Sequence, residues 1–236
     1  MPLTAVPPSG VSRELSGCGL TQNALLAGME GSLLSTLEPF FSVLSVPSGT
    51  VVHDVGNEIE RVYFPTAGLA SLQCVMQDGR PIDTGLIGRD GALGLMAAIG
   101  RYEARDRCVA RSALTSVTIS SFDLRRVAHE HRGLETICAN HIDKVLSQTQ
   151  MNAARYALQT IEVRLANCLL DASGLLSSDT VPFTQELLAE MLATRRTSVT
   201  EVACKLYAAN IIDYSRGVIL IQDRAALIKL AHLTEE

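Results

Sequence analysis

The 236-residue sequence predicts an α+β protein with a small N-terminal β-barrel or sandwich, one long helix, and a C-terminal helix-turn-helix that ends in a hairpin wing. Short β-type runs separated by turn residues occupy the stretch from Phe40 to Phe122. A long helical pattern follows from Gly133 to about Leu158, and two short amphipathic helices then precede a hairpin pattern. We therefore divide the chain into a tail (1–20), a β domain (21–131), a long helix (132–158) and a C-terminal domain (159–236).

The composition is typical of a globular protein, with 47% hydrophobic and 19% charged residues. The sequence has no apolar stretch long enough to cross a bilayer, and no basic segment followed by an apolar one at its start. We therefore predict no membrane partner and a cytoplasmic location. The net charge of −5 argues against general adhesion to nucleic acid, but it is compatible with a local basic patch.

The six cysteines stand at positions 18, 74, 108, 138, 168 and 204, and none lies within four residues of another. Zinc and redox sites usually use closely spaced cysteine pairs, so we predict reduced, buried cysteines, no metal site and no cofactor. The alternative is an iron–sulfur or metal site assembled from distant residues. The sequence also shows no nucleophile–base pattern and no phosphate-binding glycine loop. These observations predict that the chain is not an enzyme and has no catalytic residues.

The N-terminal half is predicted to contain a tail, a short helix and several strands. Residues 1–20 are rich in Pro, Ser and Gly, which indicates a mostly disordered tail. A helix is expected from Thr21 to Leu37, with Thr21 as its N-cap. Asp78-Gly79 is a strong hairpin signal between two β-type runs. The expected strands are Thr50–His53, Arg61–Phe64, Leu69–Met76, Pro81–Ile87, Cys108–Ser112 and Thr115–Ser120.

The long helix carries a possible pairing surface with the 4-3-4-3-4 spacing of a heptad seam. Its members are Cys138, Ile142, Val145, Thr149, Asn152 and Tyr156. We interpret this seam as a dimerisation surface. The residues expected to face the β domain are Leu134, Ile137, His141 and Leu146. The alternative is a single buried helix. A further helix is expected from about Thr160 to Ala172, and Ser173-Gly174 and Ser177-Ser178-Asp179 then break the chain.

The stretch from Phe183 to Ile221 is the most informative part of the sequence. Thr184 is the expected N-cap of a first helix, Ala193-Thr194 interrupts the pattern, and a second helix starts at about Arg195. Small Ala189 stands where the two helices would cross closely. A hairpin follows, with Ser215-Arg216-Gly217 joining two β-type runs into a wing.

In a helix-turn-helix, the second helix enters the major groove of DNA. An arginine fork matches the two acceptors of guanine, and hydroxyl groups reach phosphates or bases. We therefore predict contacts with double-stranded DNA from the outward side of the second helix and from the wing tip. The predicted contact residues are Arg195, Arg196, Thr197, Ser198, Thr200, Glu201, Lys205 and Arg216.

Three segments resemble the Crp/Fnr family of bacterial transcription regulators in order and spacing. They are Arg61–Gly68 (RVYFPTAG), Leu86–Gly94 (LIGRDGALG) and Leu188–Val199 (LAEMLATRRTSV). The resemblance implies a jelly-roll, cyclic-nucleotide-binding-like sensor barrel at 21–131, a dimerisation helix and a winged helix-turn-helix DNA-binding domain. It also implies a homodimer that binds a palindromic operator, and it allows RNA polymerase as a further partner.

The ligand cassette departs from that of the family members that bind cyclic nucleotides. Those members use a Gly-Glu pair for the ribose and an Arg-Ser or Arg-Thr pair for the phosphate. The aligned residues are Arg89-Asp90 and Arg105-Asp106, while Arg111-Ser112 is an out-of-register alternative. An ionised aspartate repels phosphate and cannot donate to it, so we interpret the cassette as degenerate and do not expect control by cAMP.

Two further expectations follow from the sequence. Ala193 stands where the family often has glycine, and a left-handed backbone there would strain the turn by about 1 kcal/mol. The alternative function is a ligand-sensing or protein-interaction module with a vestigial helix-turn-helix, which the acidic balance favours.

Overall fold

The computed structural model of the protein describes residues 11–12, 19–100 and 103–232. In chain order, its strands and helices are β1 (Val11–Ser12), α1 (Ala24–Ala27), α2 (Gly31–Leu37), β2 (Ser42–Val46), β3 (Val51–His53), β4 (Arg61–Ala67), β5 (Ala70–Val75), β6 (Pro81–Ile87), β7 (Arg107–Ala110), β8 (Leu114–Ser120), α3 (Ser121–Glu130), α4 (Arg132–Leu158), α5 (Ile161–Leu176), β9 (Thr180–Val181), α6 (Gln185–Met191), α7 (Arg196–Ala208), β10 (Ile212–Ser215), β11 (Val218–Ile221) and α8 (Arg224–Ala231). Short 3-10 turns lie at Leu20–Gln22, Glu38–Phe40 and Leu95–Ala98.

Two four-stranded sheets form the β domain, with strand orders β1-β2-β8-β4 and β3-β7-β5-β6. Their inner side chains share one apolar cluster, in which Ala70 and Cys108 of one sheet pack with Leu114 of the other. The arrangement is a jelly-roll-like sandwich, so the predicted α+β class is confirmed, with two sheets in place of a closed barrel.

The predicted hairpin at Asp78-Gly79 joins β5 and β6. Gly79 has a φ of 85°, a left-handed conformation that glycine adopts without a steric cost, and the amide of Met76 donates to the carbonyl of Arg80 at 2.9 Å. Strand β2 was not predicted, although the sequence Ser-Val-Leu-Ser-Val alternates with period two. It pairs antiparallel with β8.

The N-terminal helix differs from the prediction. The segment from Thr21 to Leu37 is not one helix, because it breaks between α1 and α2, and Asn23 rather than Thr21 caps α1. The predicted disordered tail lies mostly outside the described residues. Within it, Val11–Ser12 pairs with β2, and Leu20 is buried, so these positions belong to the fold.

The long helix α4 connects the β domain to α5, the first helix of the C-terminal domain. Helix α4 has 27 residues, which gives it a length of about 40 Å. Helix α5 continues through the first predicted break, Ser173-Gly174, and ends at Leu176, directly before the second, Ser177-Ser178-Asp179. The first break does not form because Ser173 is buried, and its hydroxyl accepts from Arg224 at 2.7 Å, which satisfies it inside the fold.

The C-terminal domain consists of α5 to α8 around the small sheet β10-β11-β9. Helix α8, which packs on α5, was not predicted. The apolar core of this domain also includes Leu69 and Leu86 of the β domain, so the two domains share a core. Among the described residues, no helix combines the length and apolarity needed to cross a membrane.

Candidate nucleic-acid interface

Helices α6 and α7 form the helix-turn-helix that the sequence predicts. The hydroxyl of Thr184 caps α6 by accepting from the amide of Leu187 at 3.1 Å. Ala189 is buried on the side of α6 that packs on α7. In the turn, Ala193 has a φ of 47°, so its backbone is left-handed, the conformation that the sequence analysis considered for a position where the family often has glycine. Arg195 then occupies the N-cap of α7 without a side-chain cap bond.

Helix α7 has a buried face and an exposed polar face. Val199, Val202, Ala203 and Leu206 are buried in the domain core. The exposed side chains are those of Arg195, Arg196, Thr197, Glu201 and Lys205, while Ser198 and Thr200 are half-buried. The N-terminal turn of α7 therefore presents two arginines to solvent without an acidic residue. Such a turn is attractive to the oxygen atoms of DNA phosphates and bases.

Two of the predicted contact residues have acidic neighbours. An Arg196 Nη1 atom lies 3.9 Å from Oε2 of Glu186, and Lys205 Nζ lies 3.1 Å from Oε1 of Glu201. All four side chains are more than half exposed, so these pairs are weak and can open when a ligand binds. Within the described residues, Arg195 forms no salt bridge.

Thr200 has hydrogen-bond partners within its own chain. Its hydroxyl lies 2.7 Å from Oε1 of Gln185 and 3.0 Å from the carbonyl oxygen of Arg196, and it can donate its one hydrogen to either. In the free protein Thr200 thus braces α7 against the start of α6, and its contact with DNA stays a prediction. Sequence reasoning missed Gln185, although its position directly after the Thr184 cap places it at the helix start.

The wing is a tight hairpin between β10 and β11. Its two turn residues, Arg216 and Gly217, have φ values of 50° and 82°, as a two-residue primed turn requires. Arg216 is exposed at the tip. A cleft of about 410 Å³ separates the wing from the helix-turn-helix, and Arg196 and Arg216 both line it. The two arginines therefore flank one groove.

The predicted dimerisation seam lies on the inner side of α4. Cys138 is buried in the core of the β domain, and Val145 packs against the sandwich interior. Asn152 Nδ2 donates to the carbonyl of Thr84 at 3.0 Å, and the Tyr156 hydroxyl donates to the carbonyl of Met191 at 2.5 Å. The other two seam residues, Ile142 and Thr149, line a cavity against the β domain. These six residues therefore contact their own chain, but five of them are only half-buried, so their part in dimerisation stays a prediction.

The exposed side of α4 is apolar in its C-terminal half. Leu146, predicted to face the β domain, is 53% exposed at the rim of the cavity, and Met151 and Leu158 are 57% and 80% exposed. Ala153, Ala154 and Ala157 are exposed between them. A solvent-exposed apolar stripe on a long helix is a surface that a partner can cover.

Two of the predicted cassette residues serve the protein's own architecture. Arg89 donates to the hydroxyl of Ser177 at 2.6 Å, which ties the β domain to the end of α5. Asp90 forms an ion pair with Lys144 on α4. Between these contacts, Gly91 approaches the buried ring of His141 so closely that a Cβ atom would lie 2.8 Å from Cε1. The loop is thus a docking site for α4 and α5.

The other two cassette residues line a cavity of about 430 Å³ between the β domain and α4. Its walls are mainly apolar, and its ionisable groups include Glu103, Arg105 and Asp106. Asp106 Oδ1 lies 3.3 Å from Nε2 of buried His53. The His141 ring also lines the cavity, and burial lowers its pKa, which favours the neutral ring. Within the described residues, no cluster of His, Cys, Asp or Glu side chains could hold a metal ion.

Comparison with known proteins agrees with this architecture. The family model of the Crp-like helix-turn-helix domain matches residues 163–230. The C-terminal part of the chain is a Crp-like helix-turn-helix domain, and the whole has the fold of Crp/Fnr transcription regulators. The resemblance predicted from the sequence is thereby confirmed.

Individual relatives extend the match over most of the chain. The global nitrogen regulator of Synechocystis sp. is 25% identical over 218 residues, which cover 88% of this chain and 96% of the relative. A Crp/Fnr transcriptional regulator from Eubacterium rectale has a TM-score of 0.69 at 15% identity, covering 90% of this chain and 99% of the other. FixK2 from Bradyrhizobium japonicum has a TM-score of 0.70 at 15% identity, covering 80% and 96%. The Synechocystis and Eubacterium relatives are both described as regulators, in agreement with the function predicted from the sequence.

Proposed function

We propose that this Crp/Fnr-type regulator acts in the cytoplasm as a homodimer that binds a palindromic DNA operator without control by cAMP. The observation that carries the proposal is the exposed N-terminal turn of α7, where Arg195 and Arg196 stand beside the wing tip at Arg216. The match of residues 163–230 to the Crp-like helix-turn-helix domain supports the same reading. RNA polymerase is a partner consistent with this function.

The chemistry of α7 supports sequence-specific contact. Arg196 is 67% exposed, and its guanidinium can present two parallel donors to the O6 and N7 atoms of guanine. The Ser198 hydroxyl is suited to contact a phosphate or either base type. Glu201 can accept a hydrogen bond from a cytosine amino group once Lys205 leaves it and turns toward the DNA phosphates.

The geometry of α4 supports a homodimer. Its exposed apolar half, around Leu146 and Met151, would be covered by the same surface of a second copy across a two-fold axis. Two recognition helices would then lie about one DNA turn apart, roughly 34 Å. A two-fold protein of this kind reads a two-fold symmetric site.

The cavity between the β domain and α4 supports independence from cAMP. A cyclic phosphate placed there would meet the carboxylates of Glu103 and Asp106. The one arginine of the cassette that reaches the cavity, Arg105, sits directly beside Asp106, and Arg89 is engaged with Ser177 instead. A phosphate site needs an excess of donors and positive charge, which this arrangement does not offer.

Titration of a labelled duplex with the purified protein at low salt tests the proposal against the vestigial alternative. We expect binding of two chains per duplex without added nucleotide, and a steep loss of affinity as salt rises. The double variant R195A/R196A should remain folded and lose most of this binding, whereas R80A, which removes an exposed arginine from the β5–β6 turn, should not. An intact wild-type dimer that binds no duplex at low salt would support the vestigial alternative.

A further inference from the structure

A buried ion network joins the β domain to the helix-turn-helix. Arg111 is only 4% exposed, and all three of its donor groups are engaged. Its Nε atom donates to the Ser71 hydroxyl at 2.6 Å, Nη2 donates to Oδ1 of Asp83 at 2.7 Å, and Nη1 donates to Oε1 of Glu190 at 3.0 Å. One guanidinium therefore bridges two carboxylates.

The two carboxylates belong to different domains. Asp83 lies on β6 of the β domain, where burial raises the pKa of its carboxyl and the Arg111 charge opposes that rise. Glu190 lies on α6, the first helix of the helix-turn-helix, and it also accepts from Gln73 Nε2 at 3.4 Å. Glu190 is thus a residue of the helix-turn-helix that bonds to the polar network of the β domain.

Glu190 stands at the rim of this network, because its side chain is 48% exposed. Removing its charge would leave Arg111 paired with Asp83 and Ser71, so the β domain would keep its internal bonds. Substitution of Arg111 would instead leave Asp83 buried without its cation, which is strongly destabilising. Glu190 is therefore the member that can be changed without loss of the fold.

Other contacts attach the C-terminal domain at different points. Arg89 holds the end of α5 through Ser177, and the Tyr156 hydroxyl donates to the carbonyl of Met191, next to Glu190. Leu69 and Leu86 add apolar contacts to the shared core. Glu190 lies on α6 itself, and α6 packs on α7, the recognition helix.

We propose that Glu190 is a positioning residue, whose contact with Arg111 sets the orientation of the recognition helix relative to α4 and thereby the half-site spacing that the dimer accepts. The inference rests on the proposed function, since spacing has meaning only for a dimer on DNA. It separates two properties of the regulator: α7 determines which bases are read, and the Arg111–Glu190 contact determines how far apart they are read.

The first test measures affinity for duplexes that carry the half-site selected by the wild-type protein, in pairs whose spacing varies by single base pairs. Wild type should prefer one spacing. In E190Q, we expect the ratio between the best spacing and its neighbours to fall about three- to tenfold, as loss of one hydrogen bond of ordinary net strength at a half-exposed side chain would give, with the same half-site sequence. The matched control E130Q, at an exposed glutamate of α3, should keep the wild-type ratio. R196A should change the preferred sequence and keep the spacing.

A second test does not depend on DNA. Cys74 on β5 and Cys204 on α7 are exposed, which corrects the predicted burial of the cysteines, and both can carry spin labels once Cys18 and the half-buried Cys168 are replaced by alanine. Labelled protein diluted into an excess of unlabelled protein reports the distance between the two labels within one chain by double electron–electron resonance. We expect a narrow distribution for wild type and E130Q, and a broader one for E190Q at an unchanged melting temperature.

The two tests separate failure of this inference from failure of the proposed function. If wild type selects a symmetric site but E190Q keeps both its spacing preference and its narrow distance distribution, the positioning role is wrong and the proposed function stands. If wild type binds no DNA, the proposed function fails, and the distance distribution alone then decides whether Glu190 orients the domain.

Discussion

At the scale of single residues, Arg196 is the side chain on which base recognition depends. Its guanidinium is exposed at the start of α7, with only a long, exposed contact to Glu186. We expect R196A to lose about 1–3 kcal/mol of discrimination at one base position in each half-site, because a bidentate contact with guanine disappears. Binding titrations with operators altered at each position measure this. If R196A and wild type show the same base preference at every operator position, Arg196 does not contact a base.

Ala193 offers a test of backbone strain in the same motif. Its φ of 47° is strained for alanine and not for glycine, so glycine would stabilise the folded state here. The greater flexibility of glycine in the unfolded chain partly offsets this gain. We expect A193G to raise the free energy of unfolding by about 0.5–1 kcal/mol, as measured by urea denaturation. The matched control A139G, at an exposed helical position of α4, should lower it by roughly 1 kcal/mol. A destabilised A193G would contradict the strain argument.

At the scale of elements, one substitution in the wing can test phosphate contact without weakening the turn. Arg216 has a left-handed backbone in a primed turn, a position that asparagine favours. R216N should therefore fold at least as stably as wild type. If the Arg216 side chain contacts phosphate, R216N should bind DNA more weakly than wild type. The slope of log K against log salt should then become less steep by about 0.9 per half-site. An unchanged slope would place the wing tip away from the DNA.

The exposed apolar half of α4 is the element on which dimerisation depends. We expect A153E to shift the protein toward monomers, because it places a charge at the proposed two-fold surface while glutamate keeps the helix intact. Sedimentation velocity at several concentrations measures the shift, with S35E, at an exposed position of α2, as the control. A dimer unchanged by A153E would move the interface elsewhere.

The helices and strands illustrate what sequence patterns can and cannot predict. The helix-turn-helix, the wing and the β5–β6 hairpin follow from local signals such as Thr184, Asp78-Gly79 and Ser215-Arg216-Gly217, so they were predicted closely. The heptad spacing on α4 marks one stripe of the helix, which includes the polar Thr149 and Asn152. A spacing pattern cannot say which surface covers that stripe, and the chain's own β domain covers it through contacts such as Asn152 with Thr84.

At the scale of the whole molecule, the contacts between domains were beyond sequence reasoning. The sequence suggested for Arg111 only a role in an alternative phosphate-binding pair with Ser112. Its partner Glu190 lies 79 residues away, so no local pattern connects the two. Arg89 and Asp90 were aligned with a ligand cassette, whereas the fold uses them to hold α5 and α4. A residue's partner across a domain boundary leaves no local periodicity in the sequence.

The packing of α4 on the β domain also makes stability depend on pH through His141. Burial lowers the pKa of this ring in the folded state. The hydrogen bond with the Ala92 backbone raises that pKa by a smaller amount, and of the nearby charges Lys144 lowers it and Asp90 raises it. As the pH falls below about 6.5, the unfolded chain takes up the proton first, so stability present above that pH is lost. We expect the free energy of unfolding to fall toward acid pH, and H141Q to show a smaller slope there. Parallel slopes for the two proteins would contradict this account.

The measurement that tests the central claim most directly is selection of random duplex DNA by the purified protein without added ligand. We expect enrichment of one two-fold symmetric sequence, with half-sites about one DNA turn apart. That result would show that the α7 surface reads bases in a dimer and that no effector is needed. A folded protein that enriches no sequence, or only an asymmetric one, would contradict the claim.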